Sequence, residues 1–273
     1  MPEGHTIHRL AARHAELFGG RPVRVSSPQG RFEAGAELIS GSVLRRTEAY
    51  GKHLLHHYDG HSLHVHLGLY GVFSDGEGAA PEPIGQVRLR LESSAYWLDL
   101  RGPAACELLD PPEVEALKGR LGADPLRDDG DPDMAYKRIH RSSLAVATLL
   151  MDQKIVAGCG LVYACEVLFR AGIEPTRPGT RITPDEWALL WKDLQELMRE
   201  GVRRGRIDTV HASHTPEVMG RAPRVDRHGG EVYVYRRAGQ PCLLCGTEIR
   251  RGTLAARNSY WCPRCQAGTA AGS

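Results

Sequence analysis

Cys242-Leu243-Leu244-Cys245 and, sixteen residues further on, Cys262-Pro263-Arg264-Cys265 place four thiols in two short knuckles at either end of a segment long enough for one β-hairpin. That spacing lets both knuckles serve a single tetrahedral zinc, with all four positions filled by protein and none left open for a substrate. A metal held in this way is structural, closing a hairpin that has too little apolar surface to fold unaided. Four buried thiols without a metal are the other reading of the same residues. The full chain of 273 residues has seven cysteines, an odd number that speaks against a secreted disulfide framework. The remaining three, Cys106, Cys159 and Cys165, stand in or beside apolar stretches and read as small buried hydrophobes.

Charge is distributed unevenly around this hairpin. Residues 199–273 hold 13 arginines, no lysine and 6 acidic residues, a net +7, although the whole chain carries only +2. An arginine-rich segment suits bidentate pairing with phosphate, so a polyanionic partner is expected, although genome composition also enriches arginine. Within the hairpin, Arg250, Arg251 and Arg257 are placed to follow a phosphate backbone.

Upstream the pattern is helical. Thr183-Pro184-Asp185-Glu186 combines a capping box with proline at the first helical position, and Trp187, Leu190, Trp191, Leu194, Leu197 and Met198 follow at helical spacing as a core stripe. Earlier helices are expected from about Met134 to Asp152 and from Val162 to Arg170, separated by a turn at Gly158 and Gly160. Residues 206–227 are polar, rich in Arg, His and Pro and without period, which predicts a mobile loop or one that orders on binding.

The first half alternates instead. His53–Tyr58 and Ser62–Leu67 flank Asp59-Gly60 as a hairpin, and Gln86–Leu91 and Tyr96–Leu100 read as further strands, with the Gly- and Pro-rich stretch 76–85 as a connection. The fold class is therefore α+β: an N-terminal antiparallel β-sandwich over 1–125, a helical domain over 134–232, and the zinc hairpin over 233–267. No signal-peptide pattern and no apolar run of about 20 residues is present, so a cytoplasmic, monomeric protein without membrane contact is expected. The histidines of the hairpin, His53, His57, His64 and His66, read either as a second metal site or as polar positions that face phosphate.

At the start of the chain stands Met1-Pro2-Glu3-Gly4-His5. Methionine is trimmed before a small residue such as proline, which exposes a secondary amine whose reference pKa lies within about a unit of neutrality. Such an amine is a nucleophile near pH 7, and Glu3 beside it can move protons. In isolation the same residues read as a disordered start.

Together the two ends of the chain resemble the formamidopyrimidine-DNA glycosylase and endonuclease VIII family, with the endonuclease VIII branch of actinobacterial type nearest. The resemblance spans nearly the whole chain. It is carried by Met1-Pro2-Glu3-Gly4, Tyr50-Gly51-Lys52-His53-Leu54, Leu149-Leu150-Met151-Asp152-Gln153, Gly158-Cys159-Gly160, Val234-Tyr235-Arg236-Arg237-Ala238-Gly239 and Arg257-Asn258-Ser259-Tyr260-Trp261-Cys262-Pro263-Arg264-Cys265-Gln266. It implies a helix–two-turn–helix element in the helical domain, one structural Zn²⁺ on Cys242, Cys245, Cys262 and Cys265, and double-stranded DNA with damaged bases or abasic sites as partner. It further implies a bifunctional glycosylase and abasic-site lyase that excises oxidised bases, pyrimidines foremost, and cleaves by β/δ-elimination. On this resemblance Pro2 is the nucleophile, Glu3 the acid–base partner, and Lys52 a contact to phosphate near the lesion, where alone it reads as a solvated hairpin lysine. Leu69 and Tyr70 fill the gap left by the extruded base, where alone they read as core. Gly158, Gly160 and Arg257 hold flanking phosphates.

Two positions depart from the family pattern. Leu161 stands where the family has Asn after Gly-x-Gly, and Thr6 where it often has a second acid. Two further readings stay open: a damaged-DNA-binding protein that has lost turnover, and a zinc-ribbon nucleic-acid-binding protein of other ancestry.

Overall fold

The computed structural model describes residues 2–226 and 230–267; Met1 and Arg227, which entered the reading above, lie outside the described residues. Two compact units divide the chain, 1–120 and 121–273.

The first unit opens with a helix, α1 (Gly4–Phe18), which strand alternation further along does not reveal. Ile7, Ala11, His14, Leu17 and Phe18 fall on one face and are buried, so the amphipathic pattern is present but has two histidine positions within it. There follow β1 (Arg24–Ser26), α2 (Glu33–Ile39), β2 (Arg46–Tyr50), β3 (His53–His57), β4 (Ser62–His66), β5 (Val72–Glu77), β6 (Val87–Glu92), β7 (Tyr96–Arg101), β8 (Ala105–Leu109) and α3 (Pro111–Gly119). The strands form two four-stranded sheets, ordered β1-β6-β7-β5 and β2-β3-β4-β8, with every neighbouring pair antiparallel. Val25, Leu89, Leu91, Leu98 and Leu100 of one sheet share a core with Leu54, Leu63 and Val65 of the other and with α1 and α2. This is the expected antiparallel sandwich. The predicted hairpin is β3–β4, closed by Tyr58 N–H donating to His61 O at 2.8 Å, with Gly60 at φ 80° where a side chain would be strained.

The second unit contains α4 (Pro132–His140), α5 (Val146–Leu150), α6 (Leu161–Arg170), α7 (Pro184–Arg204), the four-residue α8 (Pro216–Met219), and the hairpin β9 (Arg250–Leu254) and β10 (Arg257–Trp261). The single helix expected from Met134 to Asp152 is two helices. Ser142 diverts the chain, accepting the Leu144 N–H on its hydroxyl, and Ser142 O and Leu144 O accept N–H groups of Thr180 and Gly179, so local serine bonding and a strand-like pairing replace the helical ladder. At the head of α7 both capping-box bonds form, Glu186 N–H to Thr183 Oγ1 at 3.2 Å and Thr183 N–H to Glu186 Oε2 at 2.9 Å. The stretch after α7, expected without regular structure, holds a 3-10 turn at Ala212–His214 besides α8, and His214 Nδ1 lies 2.7 Å from the Tyr233 hydroxyl.

Between α1 and β3 the sandwich core contains a polar pair. His14 Nδ1 and His56 Nε2 are 2.9 Å apart, both side chains are fully buried, and the other nitrogen of each ring has no hydrogen-bond partner. Burial, followed by the neighbouring His56 and Arg13, holds His14 well below its usual range, and burial with His57 holds His56 down to about 3. The folded pair is neutral, whereas in the unfolded chain each ring takes a proton below about pH 6.5. Stability is therefore full above that pH and falls as acid is added, by about 2 kcal/mol per histidine at pH 5. The melting temperature is expected to drop between pH 7.5 and pH 5, and a His14→Leu/His56→Leu double variant to show a shallower drop, by the share that these two rings supply. An unchanged pH slope in the double variant would place the acid sensitivity in other histidines.

Candidate active site and zinc hairpin

Pro2 is half-buried at the entry to α1, and Glu3 is its N-cap residue in extended conformation, φ −119° and ψ 178°. Glu3 is 0% exposed, yet its side chain makes no capping bond to the helix. A carboxylate at a helix N-terminus is favoured by the dipole there, which suits Glu3 to this position next to Pro2. His5, the second residue of α1, is buried; that burial first, then the terminal amine and His8, push it down to about 4.

Lys52 lies in the two-residue connection between β2 and β3, where Tyr50 pairs with His53. Gly51 takes φ 56°, the positive value that a tight hairpin asks of its first loop residue. Lys52 itself is half-buried, and its carbonyl accepts from His66 Nδ1 at 2.9 Å. Leu69 and Tyr70 are 63% and 84% exposed, not core. They stand out because the flanking loop is packed flat: a Cβ on Gly68 would meet Ala104 at 2.8 Å, and one on Gly102 would meet the Tyr70 carbonyl at 3.0 Å. Both side chains are therefore accessible for contact from outside the protein.

In the second unit Gly158 takes φ 88°, and Gly160 is the N-cap of α6 with no side chain to satisfy the first N–H groups. Gln153 binds the turn from inside, its Oε1 accepting Gly158 N–H at 2.9 Å and its Nε2 donating to Cys159 O at 2.8 Å and Met151 O at 3.1 Å. Arg257, exposed at the start of β10, donates to that same Met151 carbonyl at 3.4 Å. Thus Gly158, Gly160 and Arg257, distant in sequence, stand together. Leu161, first residue of α6, is half-buried and packs on the helical core.

The four sulfurs of Cys242, Cys245, Cys262 and Cys265 all lie within 4.8 Å of one another, with pairs at 3.8 and 3.5 Å. A tetrahedron with Zn–S bonds of about 2.3 Å has edges of about 3.8 Å, so the thiols fit one zinc ion. Leu244 N–H and Cys265 N–H each point at a ligand sulfur, at 3.4 Å. Gln266 fixes the second knuckle, accepting from Cys262 N–H and donating to Ile173 O, both at 2.9 Å. Among the described residues this is the one group of side chains arranged for a metal. The hairpin histidines do not form a second: His53 bonds His64, His57 bonds Ser62 and Glu48, and His64 bonds Glu107. Glu107 and Glu48 are the partners that sequence reading missed, and only the strand register reveals them.

Comparison with known proteins agrees with this geometry. Residues 1–106 match the model of the formamidopyrimidine-DNA glycosylase N-terminal domain, residues 121–213 its H2TH domain, and residues 239–268 the zinc finger found in FPG and IleRS. Endonuclease 8 1 of Mycobacterium tuberculosis (strain H37Rv) is 50% identical over 97% of this chain and 100% of its own length. A formamidopyrimidine-DNA glycosylase of Methylococcus capsulatus is 32% identical over 97% of this chain and 98% of its own. The fold is that of Lactococcus lactis Fpg, solved in complex with DNA containing an abasic site, at TM-score 0.79 and 21% identity over 97% and 99% of the two chains. With matching domain models at both ends and in the middle, and an endonuclease 8 sharing half its residues, the chain belongs to the formamidopyrimidine-DNA glycosylase and endonuclease 8 family of DNA glycosylases.

Proposed function

We propose that this glycosylase is bifunctional, excising oxidised bases, pyrimidines foremost, from duplex DNA and cleaving the abasic site with the Pro2 amine. The observation that carries the reading is Pro2 followed by a fully buried Glu3 that does not cap its helix. The nitrogen lone pair of Pro2 bonds to C1′ while the bond from C1′ to the base breaks, and the base leaves with that electron pair and a proton. Glu3 is placed to supply protons to the sugar and to take them back. Opening of the sugar ring gives an iminium ion, which acidifies the C2′ proton. Its loss expels the 3′-phosphate, and a second elimination expels the 5′-phosphate.

Lys52, Arg257 and the Gly158–Gly160 turn at the start of α6 are phosphate contacts in this reading. Leu69 and Tyr70 take the place of the extruded base, offsetting the few kcal/mol that unstacking costs. Zinc on the four cysteines holds the hairpin that presents Arg257. No helix among the described residues is long and apolar enough to cross a membrane.

With Met1 removed, borohydride is expected to trap a covalent adduct with abasic-site DNA; Pro2→Gly should weaken or abolish it, and Glu3→Gln should keep binding while suppressing base excision. Equal trapping through Lys52 in the Pro2 variant would defeat the assignment. Metal analysis is expected to find one zinc per chain, lost with DNA binding in Cys245→Ser or Cys262→Ser, and two zincs per chain would contradict the histidine bonding described above. Leu161 brings no polar group to the α6 N-terminus, so Leu161→Asn is expected to tighten binding to abasic-site DNA about tenfold or more, the worth of one hydrogen bond to a charged acceptor. A lower melting temperature without tighter binding would show instead that Leu161 serves the helical core.

A further inference from the structure

The sheet β2-β3-β4-β8 turns Leu54, Leu63 and Val65 to the sandwich core, and by strand alternation its opposite face carries Leu55 beneath Val114 and Leu117 of α3. On that opposite face a row of polar side chains crosses three strands. Glu107 on β8 is registered with His64 on β4, and His66 on β4 with His53 on β3. Glu107 Oε1 lies 2.9 Å from His64 Nδ1, and His64 Nε2 lies 2.9 Å from His53 Nδ1. The His53 and His64 ring centroids are 5.1 Å apart and the planes 26° apart, so with nitrogens this close the rings meet edge to edge.

Proton positions follow by elimination. An ionised carboxylate only accepts, so His64 carries its hydrogen on Nδ1. A neutral imidazole has one N–H, which leaves His64 Nε2 bare as the acceptor in the second bond. The hydrogen of that bond therefore belongs to His53 Nδ1, and His53 Nε2 is bare. Separately, the Lys52 carbonyl only accepts, so His66 donates from Nδ1. Burial first, then His64, His66, Arg120 and Lys52, push His53 down to about 3; burial lowers His64 also, with the Glu107 bond opposing it. Lys52 and Arg120 are the permanent cations facing the row and Glu107 its carboxylate.

We propose that Glu107, His64 and His53 form a carboxylate–histidine–histidine relay that fixes the tautomer of His53 and, with His66, holds the Gly51-Lys52 turn in the shape that directs Lys52 to a phosphate. The relay rests on the reading of Lys52 as a phosphate contact, and its members are positioning residues that act through Lys52. A neutral row has a physical use here, since a charged imidazole beside Lys52 and Arg120 would repel both and displace the turn.

The test uses the full-length protein, with nitrogen-15 NMR of its histidines and kinetics on an abasic-site duplex. His53 and His64 are expected as Nδ1–H tautomers near neutral pH, with His53 staying neutral down to pH 5. Glu107→Ala should release the His64 tautomer and raise KM roughly tenfold, the scale of one lost charge-assisted bond, with kcat and the trapped adduct at saturating DNA unchanged. Glu107→Asp should restore KM. An Nε2–H tautomer at His53, or an unchanged KM in Glu107→Ala when Lys52→Ala raises it, overturns the relay alone. If Lys52→Ala itself leaves KM unchanged, the phosphate reading of Lys52 fails, and the role given to the relay falls with it whatever the tautomers.

Discussion

The second unit depends on one buried carboxylate. Glu166 lies in the middle of α6 and is fully buried, and it accepts hydrogen bonds from Tyr233, Val234 and Tyr235 N–H at 2.7, 2.9 and 2.8 Å and from the Thr209 hydroxyl at 2.6 Å. Three successive backbone N–H groups converging on one carboxylate force the chain into a tight turn just before the zinc knuckles. Both oxygens are used twice, so the desolvation cost of the charge is met by charge-assisted bonds without a full counter-ion pair. Arg237, itself buried, then closes the same turn from the other side by donating to Tyr233 O and Pro241 O at 2.6 and 2.9 Å. A glutamine in place of Glu166 would turn one acceptor into a donor facing N–H groups and weaken the hold of α6 on this turn. The position of Arg257 beside the Met151 carbonyl follows from this anchor as much as from the zinc.

Polar groups organise the first unit in the same way, but with neutral partners. His14 and His56 stand on the core side of β3, and His53, His64 and Glu107 on the far side of the same sheet. In the core pair each ring has one nitrogen without a partner, a cost of about 1–3 kcal/mol for each group that an apolar pair of similar shape would not bear. The far-side row leaves no such deficit between its members, since each bond fixes the proton for the next. One sheet therefore contains an acid-labile seat for α1, which follows directly on Pro2 and Glu3, and a separate row next to Lys52.

What the sequence disclosed was local. Four cysteines at two-residue spacing, a capping box at Thr183–Glu186, and Asp59-Gly60 between alternating segments are each complete within a few residues, and zinc geometry, helix start and hairpin all stand where the spacing placed them. Helix α1 was illegible because its buried face includes His5 and His14, polar letters that reading from composition assigns to the surface. The break between α4 and α5 depends on pairing with residues 177–180, and no local propensity encodes that partner. Leu69 and Tyr70 look like core by hydropathy, and only the flat packing of Gly68 and Gly102 shows why they are exposed. The partnership of His64 with Glu107, 43 residues away, becomes visible only with strand register.

The tip of the zinc hairpin shows how such long-range ties permit local strain. Ala255 and Ala256 form the connection between β9 and β10 with φ of 47° and 60°, a left-handed conformation that costs a non-glycine residue about 1–2 kcal/mol. Asn-Gly would fit such a turn without that penalty. The strain is tolerable because the other end of the hairpin is fixed by four thiols placed for one metal, and its flank by Gln266 bonded to Ile173. A two-residue turn leaves no slack in register, so Arg257, the residue immediately after it, is set by the strand pairing Arg257↔Leu254. Longer or glycine-rich connections would relieve the backbone but let that guanidinium wander. Strain at the tip and closure at the base are thus two parts of one arrangement, in which the zinc knuckles supply the stability that a rigidly placed arginine consumes.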